Sequence, residues 1–386
     1  MNVAAVPAGA RGRTAAVVPA DPLDLVPQGA VVAVAMSGGV DSSVAAARCV
    51  EGGLRTVGVT LAMWPRDRER DRDRGCCSVD AVEDARRVCA TLGIPHYAWN
   101  LEAEFHAEVV ADFEEEYAGG RTPNPCVRCN ERVKFGVLLE RALAAGATHL
   151  ATGHYARLGR RGEAATLHRG LDPGKDQAYT LCRVGQQALR RAVLPIGGFA
   201  TKASVRELAA SLGLVTAAKP DSQELCFVEG RTRDHLAARL RGRFAPGPVV
   251  DEQGAELGEH PGLPFVTVGQ RSGLGLRPSR PDSLPLHVLR LDAGSNRVVV
   301  GPRERLATRS VAAVGCAWVD GPPAAGAEVS VQLRAHGAAE AATVISASAE
   351  RVNVITARPL SATAPGQSLV LYDGDEVLGG GLVTSS

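Results

Sequence analysis

The sequence predicts an α/β unit built on a parallel sheet, followed by a small linking unit and a C-terminal β-barrel. Between residues 31 and 154, short apolar runs alternate with amphipathic helical stretches. This alternation is typical of a parallel sheet covered by helices on both faces. Beyond residue 221, glycine- and proline-rich turns separate short β-type runs, which indicates a largely β region. The architecture is therefore predicted to change near residue 221.

Each element follows from its local pattern. The strand candidates of the first unit are 31–36, 56–61, 95–100 and 149–152, and its helix candidates are 44–50, 79–92, 102–117, 132–145 and 201–212. Thr201 is the predicted N-cap of the last helix, and residues 215–221 are predicted to be an exposed linker. The alternating charges of residues 66–74 predict a solvated, mobile loop. The β-type runs of the second half are 266–268, 286–291, 297–300, 329–333, 342–345 and 368–372.

Length and composition limit the class of protein. The chain has 386 residues, 45% of them apolar and 22% charged, which is typical of a globular protein with about two or three domains. No run of about 18 apolar residues predicts a membrane span, and Met1–Gln28 lacks a compact signal-peptide core. We therefore expect a cytoplasmic monomer with no membrane contact and a flexible extension over residues 1–28. A net charge of +1 excludes a uniformly basic nucleic-acid binder but permits local basic faces.

The most informative motif is Ser37-Gly38-Gly39-Val40-Asp41-Ser42-Ser43, which lies between the first strand and the first helix candidate. Adjacent glycines let the backbone approach an anion closely, and the N–H groups of a helix N-terminus point at it. The motif therefore predicts a site for nucleotide phosphates. The nearest approach to a standard P-loop, residues 170–176, has the wrong spacing and lacks the hydroxyl.

The cysteines indicate a second kind of chemistry. Their number, nine, is odd, and this disfavours a structural disulfide framework. Cys126 and Cys129 form a C-x-x-C pair on a proline-containing loop that leads into a helix, where a thiolate is favoured. Such a pair could be a redox pair, half of a metal site, or a nucleophile with an auxiliary thiol. Cys76 and Cys77 are adjacent and do not complete a four-cysteine zinc site. The cysteines without predicted chemistry are Cys49, Cys89, Cys182 and Cys316.

Taken together, eight motifs resemble the bacterial tRNA-specific 2-thiouridylases, a family of the PP-loop ATP pyrophosphatase superfamily. They occur in the order and approximate spacing of that family, from about Val31 to the C-terminus. The motifs are SGGVDSS (37–43), RTPNPCVRCN (121–130), KFG (134–136), ATGHY (151–155), KDQAYTL (175–181), DSQELCF (221–227), GEHPGLPFVTVGQRSGLGL (258–276) and APGQSLVLYDGDEVLGGGL (364–382).

The resemblance implies a Rossmann-like PP-loop domain over residues 29–221, and a linking domain (222–305) and a β-barrel (306–386) that both contact tRNA. It also implies that ATP adenylates the C2 oxygen of the wobble uridine and that a sulfur nucleophile then displaces AMP. Cys226 matches the persulfide position and Cys129 the partner thiol, so turnover would leave a Cys129–Cys226 disulfide. The sulfur would come from a cysteine-desulfurase-derived persulfide donor or a sulfur relay protein.

The resemblance also implies a set of binding residues. The ATP-binding positions are Ala35, Met36, Ser37, Gly38, Gly39, Val40, Asp41, Ser42, Leu61 and Gly153, with Asp41 a Mg²⁺ partner. The positions that face the tRNA anticodon stem-loop are Asn124, Pro125, Cys126, His154, Lys175, Asp176, Gln177, Arg334 and Gln367. Local positive charge independently predicts RNA contact by Arg231, Arg233, Arg239, Arg241, Arg243, Arg271, Arg277 and Arg280.

Cys126 departs from one branch of the family, in which an aspartate at this position acts as an acid or base. A thiol is a poorer proton donor but a better metal ligand. Cys126, Cys129 and Cys226 could therefore hold a [4Fe–4S] cluster whose open iron binds hydrosulfide. Two rival hypotheses are another PP-loop tRNA-modifying or amide-forming synthetase, which would need no paired thiols, and a non-catalytic RNA-binding or sulfur-carrier protein, which would need no intact SGGVDSS loop.

Overall fold

The structure is a computed structural model that describes residues 14–63, 79–221, 225–228, 230–276, 285–361 and 363–384. The strands are β1 (Val31–Ala35), β2 (Arg55–Ala62), β3 (His96–Asn100), β4 (His149–Ala151), β5 (Ala156–Arg161), β6 (Ala164–Arg169), β7 (Ala192–Val193), β8 (Gly247–Val250), β9 (Glu256–His260), β10 (Leu286–Asp292), β11 (Arg297–Pro302), β12 (Ala307–Trp318), β13 (Glu328–Gln332), β14 (Glu340–Ala347), β15 (Arg351–Ser361), β16 (Ser368–Asp373) and β17 (Glu376–Val383).

The helices are α1 (Val40–Glu51), α2 (Val79–Thr91), α3 (Glu102–Phe105, His106–Val110 and Ala111–Ala118), α4 (Pro125–Arg128, Cys129–Leu138 and Leu139–Ala144), α5 (Gln186–Leu189), α6 (Lys202–Ser211) and α7 (Thr232–Arg239). The middle segments of α3 and α4 are π-helical. Short 3₁₀ turns cover Pro22–Leu25, Ala178–Leu181, Leu263–Phe265 and Arg303–Leu306.

Five strands form a parallel sheet in the order β3-β2-β1-β4-β7. Because β1 lies between β2 and β4, the loops that follow these three strands meet at the carboxyl edge of the sheet. Side chains of β1 alternate between the faces. Val32 and Val34 pack with α1, α2 and α6, whereas Ala33 packs in the cluster of α3 and α4. The predicted α/β fold is confirmed.

The second unit is a four-stranded sheet in the order β10-β11-β8-β9, built around the buried Val249, Val288 and Val298. The strand predicted at residues 266–268 is wrong. It follows the turn Leu263–Phe265, and the N–H of Thr267 bonds the side-chain Oε1 of Gln270 (3.0 Å) instead of a neighbouring strand. Local turn chemistry therefore overrides the β-branched composition.

The third unit is a six-stranded barrel in the order β12-β15-β14-β13-β16-β17, closed by the pairing of β12 with β17. The hairpin β5–β6 of the first unit extends the same sheet, because Val377 of β17 pairs with Leu167 of β6. Arg161 in the hairpin forms an ion pair with Glu376 at this junction (3.0 Å). The predicted C-terminal barrel is confirmed, and the first unit adds two strands to its sheet.

Residues 14–28 differ from the flexible extension predicted there. Val17 exchanges two backbone hydrogen bonds with Arg160 (2.8 and 2.9 Å), and Leu23 and Val26 pack against the face of the sheet that carries α1. Apolar side chains scattered among prolines provide this packing, although they form no periodic pattern. This stretch is therefore part of the first unit.

Residues 215–221 also differ from the exposed linker predicted for them. Thr216 is fully buried and donates a hydrogen bond to Ser43 Oγ (2.9 Å), which attaches the segment to α1. The predicted cap Thr201 is confirmed, since its Oγ1 accepts from Ser204 N (3.2 Å). The charged run 66–74 and Cys76–Cys77 lie outside the described residues. No helix in the described ranges is both long and apolar enough to cross a membrane.

Candidate active site

The turn between β1 and α1 is shaped for an anion. Gly38 has a φ of +69°, and a Cβ at this position would lie 2.3 Å from the carbonyl oxygen of Ala81, so only glycine fits. Ser42 Oγ accepts from Ser37 N (3.1 Å) and donates to Gly39 O (3.0 Å), which holds the turn closed. Gly39 is the N-cap of α1 and supplies no side-chain cap. No cap therefore competes with an anion for the first N–H groups of α1.

The loop after β4 meets this turn directly. A Cβ on Gly153 would lie 2.6 Å from Asp41 C and 2.7 Å from Ser42 N, so the two backbones touch. Leu61, near the end of β2, and Met36, at the end of β1, are buried beside them. The structure thus brings the predicted ATP-binding residues to one edge of the sheet. The loops after β1 and β4 therefore meet, while their contact with ATP stays a prediction.

A network of charges lines the same edge. Lys202, the first residue of α6, places its Nζ 2.6 and 2.7 Å from the two carboxylate oxygens of Asp41. The Tyr155 hydroxyl also donates to Asp41 Oδ1 (2.7 Å), and burial together with this carboxylate raises the pKa of the phenol. Asp221 contacts Lys202 (3.2 Å) and Lys175 (2.8 Å). Burial opposes ionisation of Asp221, but these lysines hold the pKa of its carboxyl below the ordinary value.

Asp41 is paired with Lys202 and Tyr155 in this arrangement, and its predicted role as a magnesium ligand stays a prediction. Both of its oxygens are occupied by Lys202, and one also accepts from Tyr155. Magnesium binds through oxygen donors that are free to face the ion. We therefore derive no step through magnesium at this carboxylate.

The C-x-x-C pair lies at the start of α4. Asn124 caps this helix, because its Oδ1 accepts from Cys126 N (3.1 Å) and from Val127 N (3.4 Å), and Pro125 occupies the first helical position. Cys126 is exposed, whereas Cys129, one turn later, is only 8% exposed. The two thiols of the pair therefore have different access to solvent.

Cys226 lies on a different segment that packs against the same helix as the C-x-x-C pair. The next residue, Phe227, makes edge-to-face contacts with Phe113 of α3 (5.0 Å between ring centroids) and Phe105 (6.0 Å). On the side of α4, Arg128 Nε donates to Glu108 O of α3 (3.2 Å). Cys226 and Cys129 also belong to one hydrophobic cluster. Helix α3 therefore joins the two cysteine segments that the sequence separates.

The described residues do not fit an iron–sulfur cluster. Across the described ranges, which include Cys126, Cys129 and Cys226, no three His, Cys, Asp or Glu side chains are gathered as a metal site requires. The difference in burial between Cys126 and Cys129 is in line with this. No step through a cluster is derived from this arrangement.

The barrel holds the loop that leads to Cys126. Thr122 N donates to Pro365 O (2.8 Å), and the side-chain Nε2 of Gln367 donates to Thr122 O (2.6 Å). On α4, Glu131 accepts from Arg183 Nε (2.8 Å), and Arg183 also bonds Gly315 O of β12. The first and third units thus position the cysteine loop together.

Comparison with known proteins identifies the family of this chain. The chain matches the models of the tRNA methyl transferase HUP domain (residues 30–230), the tRNA methyl transferase PRC-barrel domain (233–302) and the aminomethyltransferase β-barrel domain (308–383). It is 47% identical over 361 residues to the tRNA-specific 2-thiouridylase MnmA of Heliobacterium modesticaldum, covering 91% of this chain and 92% of that one. The protein of the same name from Beutenbergia cavernae is 47% identical over 363 residues. This alignment covers 92% of this chain and 95% of that one. The chain belongs to the tRNA-specific 2-thiouridylase family. The identification made from the motifs is confirmed, and so is its class of enzyme, a sulfurtransferase.

Three residues predicted to face tRNA attach the loop 170–178 to its surroundings. Asp176 accepts from Arg169 NH1 (2.8 Å) and from the N–H of Gly170 (2.9 Å), and Gln177 Oε1 accepts from Tyr155 N (3.0 Å). Lys175 is bound to Asp221, as described above. Their contact with tRNA stays a prediction, but the side chains also have structural partners.

His154, another residue predicted to face tRNA, lies in the interior of the protein. It is 7% exposed, and its Nδ1 is hydrogen-bonded with Thr152 Oγ1 (2.7 Å). Burial, with a smaller effect of Lys134, lowers the pKa of the imidazole well below its ordinary value. His154 is therefore neutral at pH 7, and its tRNA contact stays a prediction.

Three of the predicted basic residues of the second and third units differ in their surroundings. Arg239 bonds Glu114 of α3 (2.7 Å) and Arg243 bonds Glu115, so these two dock the second unit onto the first. Arg334 is exposed, as a phosphate contact requires. Arg277 and Arg280 lie outside the described residues.

Two lysines at the turn after β1 were not predicted from the sequence. Lys202 reaches Asp41 from 161 positions away, and Lys219 donates to Gly38 O (2.9 Å) and Asp84 (2.6 Å) from beyond α6. The sequence around Lys202 predicts only a helix, and the sequence around Lys219 predicts only a linker. No local signal identifies such residues, since the parallel sheet brings them to the turn.

Proposed function

We propose that this chain thiolates the wobble uridine of tRNA at C2 in an ATP-dependent reaction. The observation that carries the proposal is that one sheet-based unit holds both the uncapped N-terminus of α1 and the two cysteine segments on α3, in a chain of the 2-thiouridylase family. The amide-forming PP-loop synthetases use nitrogen nucleophiles and need no such thiols. The paired thiols therefore favour sulfur transfer over amide formation.

In the first step, the C2 oxygen of the uridine attacks the α-phosphorus of ATP. The bond to the β-phosphate breaks, and pyrophosphate leaves with the electron pair. The turn Ser37–Ser42 and the N-terminus of α1 would hold the phosphates through backbone N–H groups, which favour negative charge. Adenylation turns the C2 oxygen into a good leaving group.

In the second step, we propose a persulfide on Cys226 as the sulfur source and Cys129 as the partner thiol. The terminal sulfur attacks C2 and AMP leaves, so that uridine and Cys226 are joined through two sulfurs. The Cys129 thiolate then attacks Cys226 Sγ, which breaks the S–S bond, leaves the terminal sulfur on C2 and forms a Cys129–Cys226 disulfide. An external dithiol returns the disulfide to thiols, and a persulfide donor reloads Cys226. The shared packing of both segments on α3 supports this pairing.

The test is to incubate the chain with ATP, a tRNA transcript, a persulfide donor and a dithiol reductant, and to measure pyrophosphate and 2-thiouridine. Both products should appear together, and neither should appear with a tRNA whose wobble uridine is replaced by cytidine. Absence of tRNA-dependent pyrophosphate would overturn the proposed activity. Pyrophosphate without 2-thiouridine would overturn the sulfur step alone.

A further inference from the structure

Lys202 is a cation held at the mouth of the phosphate turn. Its side chain is 12% exposed, and its Nζ contacts both oxygens of Asp41, the second residue of α1. The same Nζ lies 3.2 Å from Asp221 Oδ1 and 5.4 Å from the centre of the Tyr155 ring. The backbone fixes the base of the side chain, because Thr201 caps α6 and Lys202 N donates to Asp172 Oδ2 (2.9 Å). These contacts together fix the position of the ammonium group.

Negative charge at this edge needs such a cation. The carboxylates of Asp41 and Asp221 lie beside the turn that is proposed to hold a triphosphate. An ATP placed there would meet like charge from both carboxylates unless a cation stood between them. Lysine suits this task, since its ammonium is a compact charge with three hydrogen-bond donors that can serve carboxylate and phosphate oxygens together.

We propose that Lys202 binds the β- and γ-phosphates of ATP and stabilises the pyrophosphate leaving group, while it remains hydrogen-bonded to Asp41. This inference rests on the proposed function and adds a residue outside the SGGVDSS motif to its phosphate site. When the bond between the α-phosphorus and its bridging oxygen breaks, charge accumulates on the β-phosphate. The ammonium offsets that charge, and no proton has to move.

Equilibrium binding of two probes, inorganic pyrophosphate and AMP, tests the proposal on the full-length chain by titration calorimetry. Charge-assisted hydrogen bonds contribute enough that Lys202→Met should weaken pyrophosphate binding by roughly tenfold or more. AMP lacks the β- and γ-phosphates, so its affinity should stay within about twofold. Lys202→Arg keeps the charge and should recover most of the pyrophosphate affinity. The matched control is Arg305→Met, which removes a cation from Glu252 (2.7 Å) in the second unit. It should change neither affinity.

Unchanged pyrophosphate affinity in Lys202→Met would overturn the proposal. Equal weakening of pyrophosphate and AMP would also overturn it, because that result indicates a structural role through Asp41. If Lys202→Met does not fold, Lys202→Gln is measured with the same two probes. Failure of the proposed function is distinguishable, since it would show as a wild-type chain that binds pyrophosphate but releases none in the presence of ATP and tRNA.

Discussion

The side-chain amide of Gln367, in the turn before β16, donates a 2.6 Å hydrogen bond to the carbonyl oxygen of Thr122. Thr122 lies four residues before Cys126, and its own N–H donates to Pro365 O (2.8 Å). A residue of the barrel thus holds the cysteine loop of the first unit. Since Gln367 is also predicted to face tRNA, its side-chain amide would have to contact both Thr122 and the RNA.

We expect Gln367→Ala to loosen this loop in the tRNA-free protein. Loss of one hydrogen bond costs about 1 kcal/mol, so alkylation of the buried Cys129 by iodoacetamide should accelerate about fivefold. Mass spectrometry of the Cys129 peptide measures the rate. Gln253→Ala, the same change at an exposed turn of the second unit, is the control. Equal alkylation rates in wild type and Gln367→Ala would show that the loop does not depend on the barrel.

We expect Cys129→Ser and Cys226→Ser each to reduce 2-thiouridine formation to background. Serine cannot carry a persulfide or complete the exchange, whereas pyrophosphate binding should persist because both positions lie outside the phosphate turn. Nucleoside analysis by mass spectrometry measures the product. Cys316→Ser is the control, since burial raises the pKa of that thiol to about 11 and it lies in the barrel. Normal thiolation by either of the first two variants would exclude its cysteine from the reaction.

Cys126→Asp separates the two sulfur routes. Because the described cysteines are not gathered as a metal site, we expect this variant to keep thiolation within about threefold of wild type. Iron and acid-labile sulfide, counted after anaerobic purification, should be absent from both proteins. Loss of iron together with activity would contradict the persulfide route and restore the cluster hypothesis.

Gly153→Ala should damage the nucleotide crevice. Its Cβ would lie 2.6 Å from Asp41 C, so the backbones must separate at a cost of about 1–3 kcal/mol in the free energy of unfolding. We also expect pyrophosphate affinity to fall about tenfold because α1 is displaced. Gly198→Ala is the control, since its Cβ would meet only Ala20 O at 3.8 Å. Urea unfolding and calorimetry measure the two effects, and a Gly153→Ala protein indistinguishable from this control would rule out the close contact.

His154 should make the fold sensitive to acid. Its folded pKa lies well below 6.5, so the unfolded chain binds the proton more readily and stability falls as pH decreases below about 6.5. Above that pH its contribution is constant. Melting temperatures between pH 8 and pH 5 should fall less steeply for His154→Asn than for wild type. The buried His149 and the half-buried His96 and His235 also have lowered pKa values and act in the same direction in both proteins. Parallel curves would mean that His154 is not buried in the neutral form.

Local patterns of sequence predict the phosphate turn well and its supporting charges poorly. The strand, the glycine pair and the helix of residues 31–51 are contiguous, so apolar periodicity and glycine chemistry identify them. Lys202 and Thr216 reach the same turn only through tertiary packing, and their neighbourhoods in the chain show no sign of it. The error at residues 266–268 has the opposite origin, because the β-branched composition there is overruled by a hydrogen bond that Thr267 N donates to the side chain of Gln270.

Motif resemblance alone predicts that Cys129 and Cys226 act together, and the described contacts explain how the fold joins their segments. Helix α3 makes both contacts. Its Phe113 packs edge-to-face against Phe227, and its backbone carbonyl at Glu108 accepts a hydrogen bond from Arg128. Neither contact has a signature in the sequence, since an aromatic residue or an arginine on a helix is most often ordinary surface or core. The domain boundaries at residues 222 and 306 stay predictions, whereas residues 14–28 pack with the first unit.

The hairpin β5–β6 joins the sheet of the barrel through the pairing of Leu167 with Val377. Two strands that are far apart in the sequence therefore share one hydrogen-bonded edge, and removing either of them would expose the other. A truncated chain that ends before the barrel would present β6 as an open strand, ready to pair with other chains and aggregate. The barrel therefore also covers the edge of β6, and we expect a chain shortened from its C-terminal end to aggregate.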